Sequence, residues 1–124
     1  MKPGEIDMKR SREDGTLLAF ASVDLSTVEE VLDDLAGCFV RLARYQMSLS
    51  ILTILLEREG DKDTFRVECL ETKRMALPVE WEDSCLKIID VSTEPQFRRF
   101  QLLDSSAGAD IICSEVLVSR GGEA

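Results

Sequence analysis

The sequence predicts an α+β fold, a two-layer sandwich with a mostly antiparallel sheet and two helices on one face, ferredoxin-like or similar. Three stretches support this prediction. Residues 49–56 form a short, continuous apolar run, which is typical of a central strand buried on both faces. Residues 64–70 alternate between apolar and polar side chains, as in a half-buried strand. Residues 26–45 carry apolar side chains at the three- and four-residue spacing of an amphipathic helix.

The first helix is predicted to begin at Ser26 and to end at Tyr45. Ser26 and Glu29 have the spacing of a capping box, in which each side chain bonds a free backbone N–H at the helix start. Acidic residues fill the first half, and Arg41 and Arg44 lie in the last turn, which matches the helix dipole at both ends. The apolar stripe of this helix comprises Val28, Val31, Leu32, Leu35, Phe39 and Leu42.

The other strands are predicted from short apolar stretches between turn signals. Residues 16–24 are expected to form a first strand, although their Leu and Ala content leaves a short lead-in helix as the alternative. The charged turn 57–63, which contains Gly60, is expected to join residues 49–56 and 64–70 into an antiparallel hairpin. Two further strands are predicted at residues 85–91 and 110–119, the last with a bulge near Ser114.

A second helix is predicted at residues 93–104. Thr93 and Gln96 repeat the capping-box spacing, and Pro95 falls in the first turn, where a helix makes no use of the missing N–H. The apolar face of this helix comprises Phe97, Phe100, Leu102 and Leu103. The predicted order is therefore strand, helix, strand, strand, strand, helix, strand.

The length of 124 residues and the hydrophobic content of 44% suit a single folded domain. We expect this domain to span residues 16–120, after a disordered N-terminal arm at residues 1–15 and before a tail at residues 121–124. Residues 1–15 lack the apolar segment of a signal peptide, and no apolar run approaches the roughly 20 residues of a membrane span. A cytoplasmic location without membrane contact is expected.

The chain is acidic, with a formal net charge of −9 and a pI near 4.5. Nucleic-acid backbones bind basic surfaces, so this charge argues against general nucleic-acid binding. The short basic segment at residues 9–12 is followed at once by two acids and is expected to be a solvated part of the arm. The cysteines have no zinc or redox spacing, and we expect them to be buried and reduced: Cys38, Cys69, Cys85 and Cys113.

The sequence lacks the parts of the common catalytic sites. It contains no histidine, which excludes Ser–His–Asp and Cys–His mechanisms within this chain. Its glycines fit neither the Walker nor the dinucleotide-binding pattern. A hard cation could bind Glu57, Glu59, Asp61 and Asp63, but a charged hairpin turn is usually solvated. We therefore expect no catalytic residue, metal or cofactor, and we do not expect an enzyme.

Two segments resemble parts of GGDEF domains, the diguanylate cyclase family. The sequence RLARYQMSLSILTILLE, from Arg41 to Glu57, is similar to the entry helix and first strand of that family. The final residues 119–124, SRGGEA, are similar to the start of its signature turn. This signature is incomplete, and the acids after residue 56 lead into an alternating strand instead of a helix. The resemblance therefore implies a degenerate relative without cyclase activity.

Two functions are compatible with these features. The first is a non-catalytic regulatory or protein-interaction module that acts through an exposed sheet edge or sheet face, with self-association as a dimer among its forms. The second is a small-ligand or nucleotide sensor related to a degenerate cyclase domain, in which basic side chains contact phosphate. The candidate phosphate contacts are Arg41, Arg44, Lys73, Arg74, Arg98 and Arg99.

Overall fold

The computed structural model describes residues 16–60 and 64–121, which form one helix and ten strands. The helix, α1, spans Leu25–Asp34. The strands are β1 (Thr16–Phe20), β2 (Phe39–Gln46), β3 (Ile51–Glu57), β4 (Thr64–Leu70), β5 (Arg74–Ala76), β6 (Glu80–Trp81), β7 (Lys87–Asp90), β8 (Phe100–Asp104), β9 (Ala109–Cys113) and β10 (Glu115–Arg120). The predicted arm at residues 1–15 lies outside the described residues, as do residues 122–124 of the predicted tail.

The strands form two antiparallel sheets. Sheet A has the strand order β1-β10-β4-β3-β2-β6, and sheet B has the order β5-β9-β8-β7. The mostly antiparallel character of the α+β prediction is thus confirmed. The predicted pair of helices on one face of a single sheet is wrong, because the described residues contain one helix, and sheet B forms most of the second layer.

One apolar core joins the two sheets and the helix. Ile54 and Val67 of sheet A belong to the same buried cluster as Phe100 and Leu102 of sheet B and Leu32 of α1. The helix contacts the edge strand of each sheet, β1 in sheet A and β7 in sheet B. The core therefore lies between the sheets, and α1 closes it along one side.

The central strand and its hairpin are confirmed as β3 and β4. β3 pairs antiparallel with β2 on one side and with β4 on the other. Leu52, Ile54 and Leu56 belong to the core cluster, and Leu55 on the opposite face of the strand is also fully buried. Burial on both faces accounts for the continuous apolar run at residues 49–56.

Two other predicted strands are confirmed, and a third is divided. The strands predicted at residues 16–24 and 85–91 are β1 and β7, so the lead-in helix considered for the first of them is absent. The strand predicted at residues 110–119 is two strands, β9 in sheet B and β10 in sheet A. The predicted bulge near Ser114 is the point at which the chain passes from one sheet to the other.

The chain crosses between the two sheets four times within the described residues, and two of these crossings lie side by side. Ser114, between β9 and β10, donates its N–H to the Leu70 carbonyl at 2.9 Å. The next residue after Leu70 is Glu71, which adopts φ of 50° and begins the crossing from β4 in sheet A to β5 in sheet B. A direct backbone hydrogen bond therefore holds the two crossings together.

The first predicted helix is wrong over its second half. α1 contains only 10 residues, and residues 39–46 form β2 instead. Gly37 has φ of 91° and donates its N–H to the Ser84 carbonyl, so the chain leaves the helix through a conformation that glycine adopts readily. Val40 then belongs to the core and Leu42 packs against it with the period of two of a strand, whereas the predicted helical stripe had used Phe39 and Leu42.

The start of α1 also differs from the prediction, since Asp24 rather than Ser26 is the N-cap. The Asp24 carboxylate accepts hydrogen bonds from the Thr27 hydroxyl at 2.7 Å, the Thr27 N–H at 3.2 Å and the Ser26 hydroxyl at 3.1 Å. These bonds, led by that from the Thr27 hydroxyl, hold the pKa of Asp24 below its ordinary value.

We expect Asp24→Ala to destabilise the protein more than Ser26→Ala at pH 7, because Asp24 satisfies a free N–H of the first helical turn. Since the folded state lowers its pKa, this contribution is present above the unfolded pKa of about 3.9 and is lost as the pH falls through the folded-state pKa. Thermal unfolding of both variants at pH 7 and pH 3 measures the difference. Equal losses at pH 7 would contradict the N-cap assignment.

The second predicted helix is wrong along its whole length. Residues 100–104 form β8, and residues 91–99 form a loop between β7 and β8, called here the 91–99 loop. Phe100 and Leu102 are fully buried, whereas Leu103 lies on the opposite face and is half-buried. Pairing with β7 and β9 imposes this period of two.

Candidate functional site

The structure separates the six cations that were predicted to contact phosphate. Arg41 pairs with Glu57 of the adjacent strand at 2.9 Å, and Arg74 pairs with Asp110 at 2.7 Å. Arg44 lies in β2 and makes no ion pair with any described residue. The other three line one cavity beside the 91–99 loop: Lys73, Arg98 and Arg99. Only these three converge.

The acids considered as metal ligands are not assembled into a site. The carboxylate of Glu57 is used by Arg41, and Glu59 is exposed. Asp61 and Asp63 lie outside the described residues. Across residues 16–60 and 64–121, no group of three or more cysteine and carboxylate side chains is placed to hold a metal ion.

The cysteines are free thiols in three buried positions and one exposed position. Cys38, Cys69 and Cys113 are buried as predicted, but Cys85 is exposed, so the prediction is wrong for that residue. A hydrogen bond with the Cys113 thiol and burial both raise the pKa of Cys69 well above its ordinary value. Because the thiolate is the reactive form, Cys69 is a poor nucleophile.

Sheet A is open along part of the outer edge of β2. β6 pairs only with Val40 and Arg41, and the Leu42 N–H donates to the Val79 carbonyl at 2.7 Å. Beyond that bond, residues 43–46 have no neighbouring strand on the side away from β3 within the described part of the chain. We call this segment the β2 edge. Its backbone offers donors and acceptors to another strand.

Exposed apolar side chains lie at both ends of the β2 edge. Val79, which bonds the chain at the start of the edge, is 68% exposed. Met47 and Leu49, in the turn that follows β2, are 76% and 58% exposed. Tyr45, by contrast, packs against the core. The edge therefore combines free backbone groups with accessible apolar surface.

A bulge shapes the β2 edge. Leu42 is opposite Ile54 and Arg44 is opposite Thr53, which leaves Ala43 as an extra residue in β2. A bulge bends a strand and increases its twist. The edge was not predicted from the sequence, because residues 26–45 were expected to form one helix. A signal was present, since the alternation of residues 40–42 resumes at residues 44–46 once Ala43 is set aside as a bulge.

The β2 edge and the following strand coincide with the segment that resembles a GGDEF domain. Residues 41–57 form two paired antiparallel strands, β2 and β3, so the helix expected in the first half of this segment is absent. No protein-family model, curated protein or solved structure matches the chain. The resemblance stays a prediction.

Among the described residues, no helix has the length and apolarity needed to cross a membrane.

Proposed function

We propose that this protein is a non-catalytic interaction module that self-associates through the β2 edge. The observation that carries the proposal is the coincidence of open strand backbone at residues 43–46 with exposed apolar side chains at both ends, Val79, Met47 and Leu49. Strand addition at such an edge draws affinity from main-chain hydrogen bonds and specificity from the neighbouring side chains.

A second copy of the chain is the occupant that this edge matches best. Two antiparallel strands related by a two-fold axis present the donors of each to the acceptors of the other, so an open edge is complementary to itself. Val79 marks the start of the edge and Met47 follows its end. Antiparallel pairing centred on residues 43–46 thus brings Met47 of each copy towards Val79 of the other, which buries apolar surface at both ends.

We expect the mass in solution to rise from 13.9 kDa towards twice that value as the protein concentration increases. The double substitution Met47→Lys with Leu49→Lys should weaken the dimer by at least about tenfold, because it places unpaired charge in a closed interface. Val23→Lys is the matched control, since Val23 is 74% exposed but lies in the turn before α1. Sedimentation equilibrium gives the mass of the unmodified protein, the double lysine variant and the Val23→Lys control over a range of concentrations.

Amide hydrogen exchange locates the contact. The proposal expects those backbone amides of residues 43–46 that face away from β3 to gain protection as concentration rises, because strand pairing occupies them. A monomer at every concentration would overturn self-association through this edge. A dimer that survives the double lysine substitution, without added protection at residues 43–46, would place the interface elsewhere.

A further inference from the structure

A cavity of about 270 Å³ lies between the 91–99 loop and the corner where the chain crosses between the sheets. Phe97, Arg98 and Arg99 line it from the loop, and Glu71 and Lys73 line it from the crossing. The last two come from a part of the sequence more than 20 residues away. We call this site the basic cavity.

The basic cavity is lined by three cations and one carboxylate, that of Glu71, and two of the cations make no ion pair with the described residues. Four described cations make no ion pair with described residues, and Lys73 and Arg99 are two of them, the others being Arg44 and Arg66. Arg98 is paired with Asp90 at 2.8 Å, and its guanidinium lies over the Phe100 ring. In a chain of net charge −9, two unpaired cations beside one small cavity favour an anionic ligand.

Phe97 gives the basic cavity an aromatic side as well as a charged one. Its side chain is 64% exposed although it is large and apolar, and it follows a tight turn in which the Phe97 N–H donates to the Glu94 carbonyl at 3.1 Å. An exposed ring at the mouth of a charged cavity offers a stacking surface for a planar group. Charge and stacking together favour a ligand with both an anionic and an aromatic part.

Backbone hydrogen bonds hold the walls of the basic cavity in place. The Lys73 N–H donates to the Ile112 carbonyl at 2.7 Å, which fixes the crossing next to β9. At the base of the loop, the Arg99 N–H donates to the Ser92 hydroxyl at 2.8 Å, and the Val91 N–H donates to the Arg99 carbonyl at 2.9 Å. The cationic side chains therefore extend from anchored backbone, which reduces the ordering cost of binding.

We propose that the basic cavity binds a nucleoside monophosphate, independently of self-association. A phosphate monoester carries a charge of about −1.5 to −2 at pH 7 and pairs with the cations Lys73 and Arg99. Phe97 stacks on the base, and the carboxylate of Glu71 accepts a hydrogen bond from a ribose hydroxyl. The volume of about 270 Å³ is below the usual range for drug-sized ligands and suits a mononucleotide better than a larger one.

Isothermal titration of the full chain with AMP, adenosine and inorganic phosphate tests this proposal. We expect AMP to bind at least about tenfold more tightly than either fragment, because only AMP uses both the cations and the ring. The affinity for AMP should also fall as salt increases, since exposed charges are screened.

Three variants assign the binding to the basic cavity. The double substitution Lys73→Gln with Arg99→Gln should lower the affinity for AMP at least about tenfold. Phe97→Leu should lower the affinity for AMP by about tenfold without changing the affinity for phosphate. Lys87→Gln is the matched control, because Lys87 is also an exposed cation but lies in β7 and pairs with Asp33 outside the basic cavity. Its affinity for AMP should equal that of the unmodified protein.

Four results would overturn the proposal. They are the absence of AMP binding, phosphate binding as tightly as AMP, adenosine binding as tightly as AMP, and AMP affinity that survives the double glutamine substitution. Phosphate binding as tightly as AMP would exclude a contribution from stacking on Phe97, and adenosine binding as tightly as AMP would exclude a contribution from the cations. AMP affinity that survives the double glutamine substitution would place the nucleotide site elsewhere. None depends on the oligomeric state, so the outcome is separate from that of the β2-edge experiment.

Discussion

Asp104→Ala is expected to lower the free energy of unfolding by about 2–4 kcal/mol. The Asp104 residue is 1% exposed. Its carboxylate accepts hydrogen bonds from the Trp81 indole N–H at 2.9 Å, the Cys85 N–H at 2.8 Å and the Ser106 hydroxyl at 2.8 Å. Alanine leaves these donors without their acceptor, and the Trp81 indole N–H is the one that lies in a buried position. Chemical denaturation of the variant measures the loss.

The same carboxylate makes stability depend on pH. Burial raises the pKa of Asp104, but the hydrogen bonds from Cys85, Ser106 and Trp81 together lower it by more, so the net shift is downward. A carboxyl with a lowered folded-state pKa adds stability above the unfolded value of about 3.9 and loses it as the pH falls through the folded value. This contribution should therefore be complete at pH 7 and reduced below pH 4.

Asp104→Asn separates the hydrogen bonds from the charge. Asparagine keeps one oxygen for the Trp81 and Cys85 donors, and its amide can donate to the Ser106 hydroxyl, so it should cost less than alanine. It should also remove the loss of stability below pH 4 that is due to protonation of Asp104. An Asp104→Ala variant as stable as the unmodified protein would show that these bonds add nothing to folding.

Phe100→Ala is expected to destabilise the protein by about 3–5 kcal/mol, because the ring is fully buried and its removal leaves a cavity between the sheets. Phe97→Ala is the matched control. It removes the same ring three residues earlier in the chain, from an exposed position, and should change stability by no more than about 0.5 kcal/mol. Urea unfolding of the two variants gives the comparison.

The outcome of this pair tests the register of β8 as well as its packing. Both phenylalanines were assigned by spacing to one apolar helix face, in which case both substitutions would be costly. The strand register instead places Phe100 in the core and leaves Phe97 outside β8, in the preceding loop. Similar losses for the two variants would contradict this register. If Phe100→Ala does not fold, Phe100→Leu, with a smaller cavity, serves in its place.

The candidate sites were predictable from the sequence only in part. Lys73, Arg98 and Arg99 were among the six cations predicted from their charge as candidate phosphate contacts, and these three line one cavity. Which three could not be predicted, because Lys73 reaches the 91–99 loop only through the crossing between β4 and β5. The β2 edge was missed, since its strand was assigned to a helix.

Elements whose apolar pattern has one interpretation could be predicted correctly from the sequence. The run at residues 49–56 is too short and too uniformly apolar for a surface helix, and all of it from Ile51 onwards lies in β3, while Leu49 is exposed in the preceding turn. The alternation at residues 64–70 has a period of two, and it forms β4 paired with β3. In both segments local pattern and tertiary environment agree, so local reasoning was sufficient.

Where the apolar pattern of a segment fits two periods, long-range contacts selected its secondary structure. Residues 39–46 and 100–104 have apolar spacing that suits a helix or a strand, and pairing with β3 and with β7 and β9 selects the strand in each case. The backbone hydrogen bonds and burial that make this choice come from distant parts of the chain. The same long-range contacts set the division of residues 109–120 between two sheets, because the Leu70 carbonyl holds the crossing at Ser114.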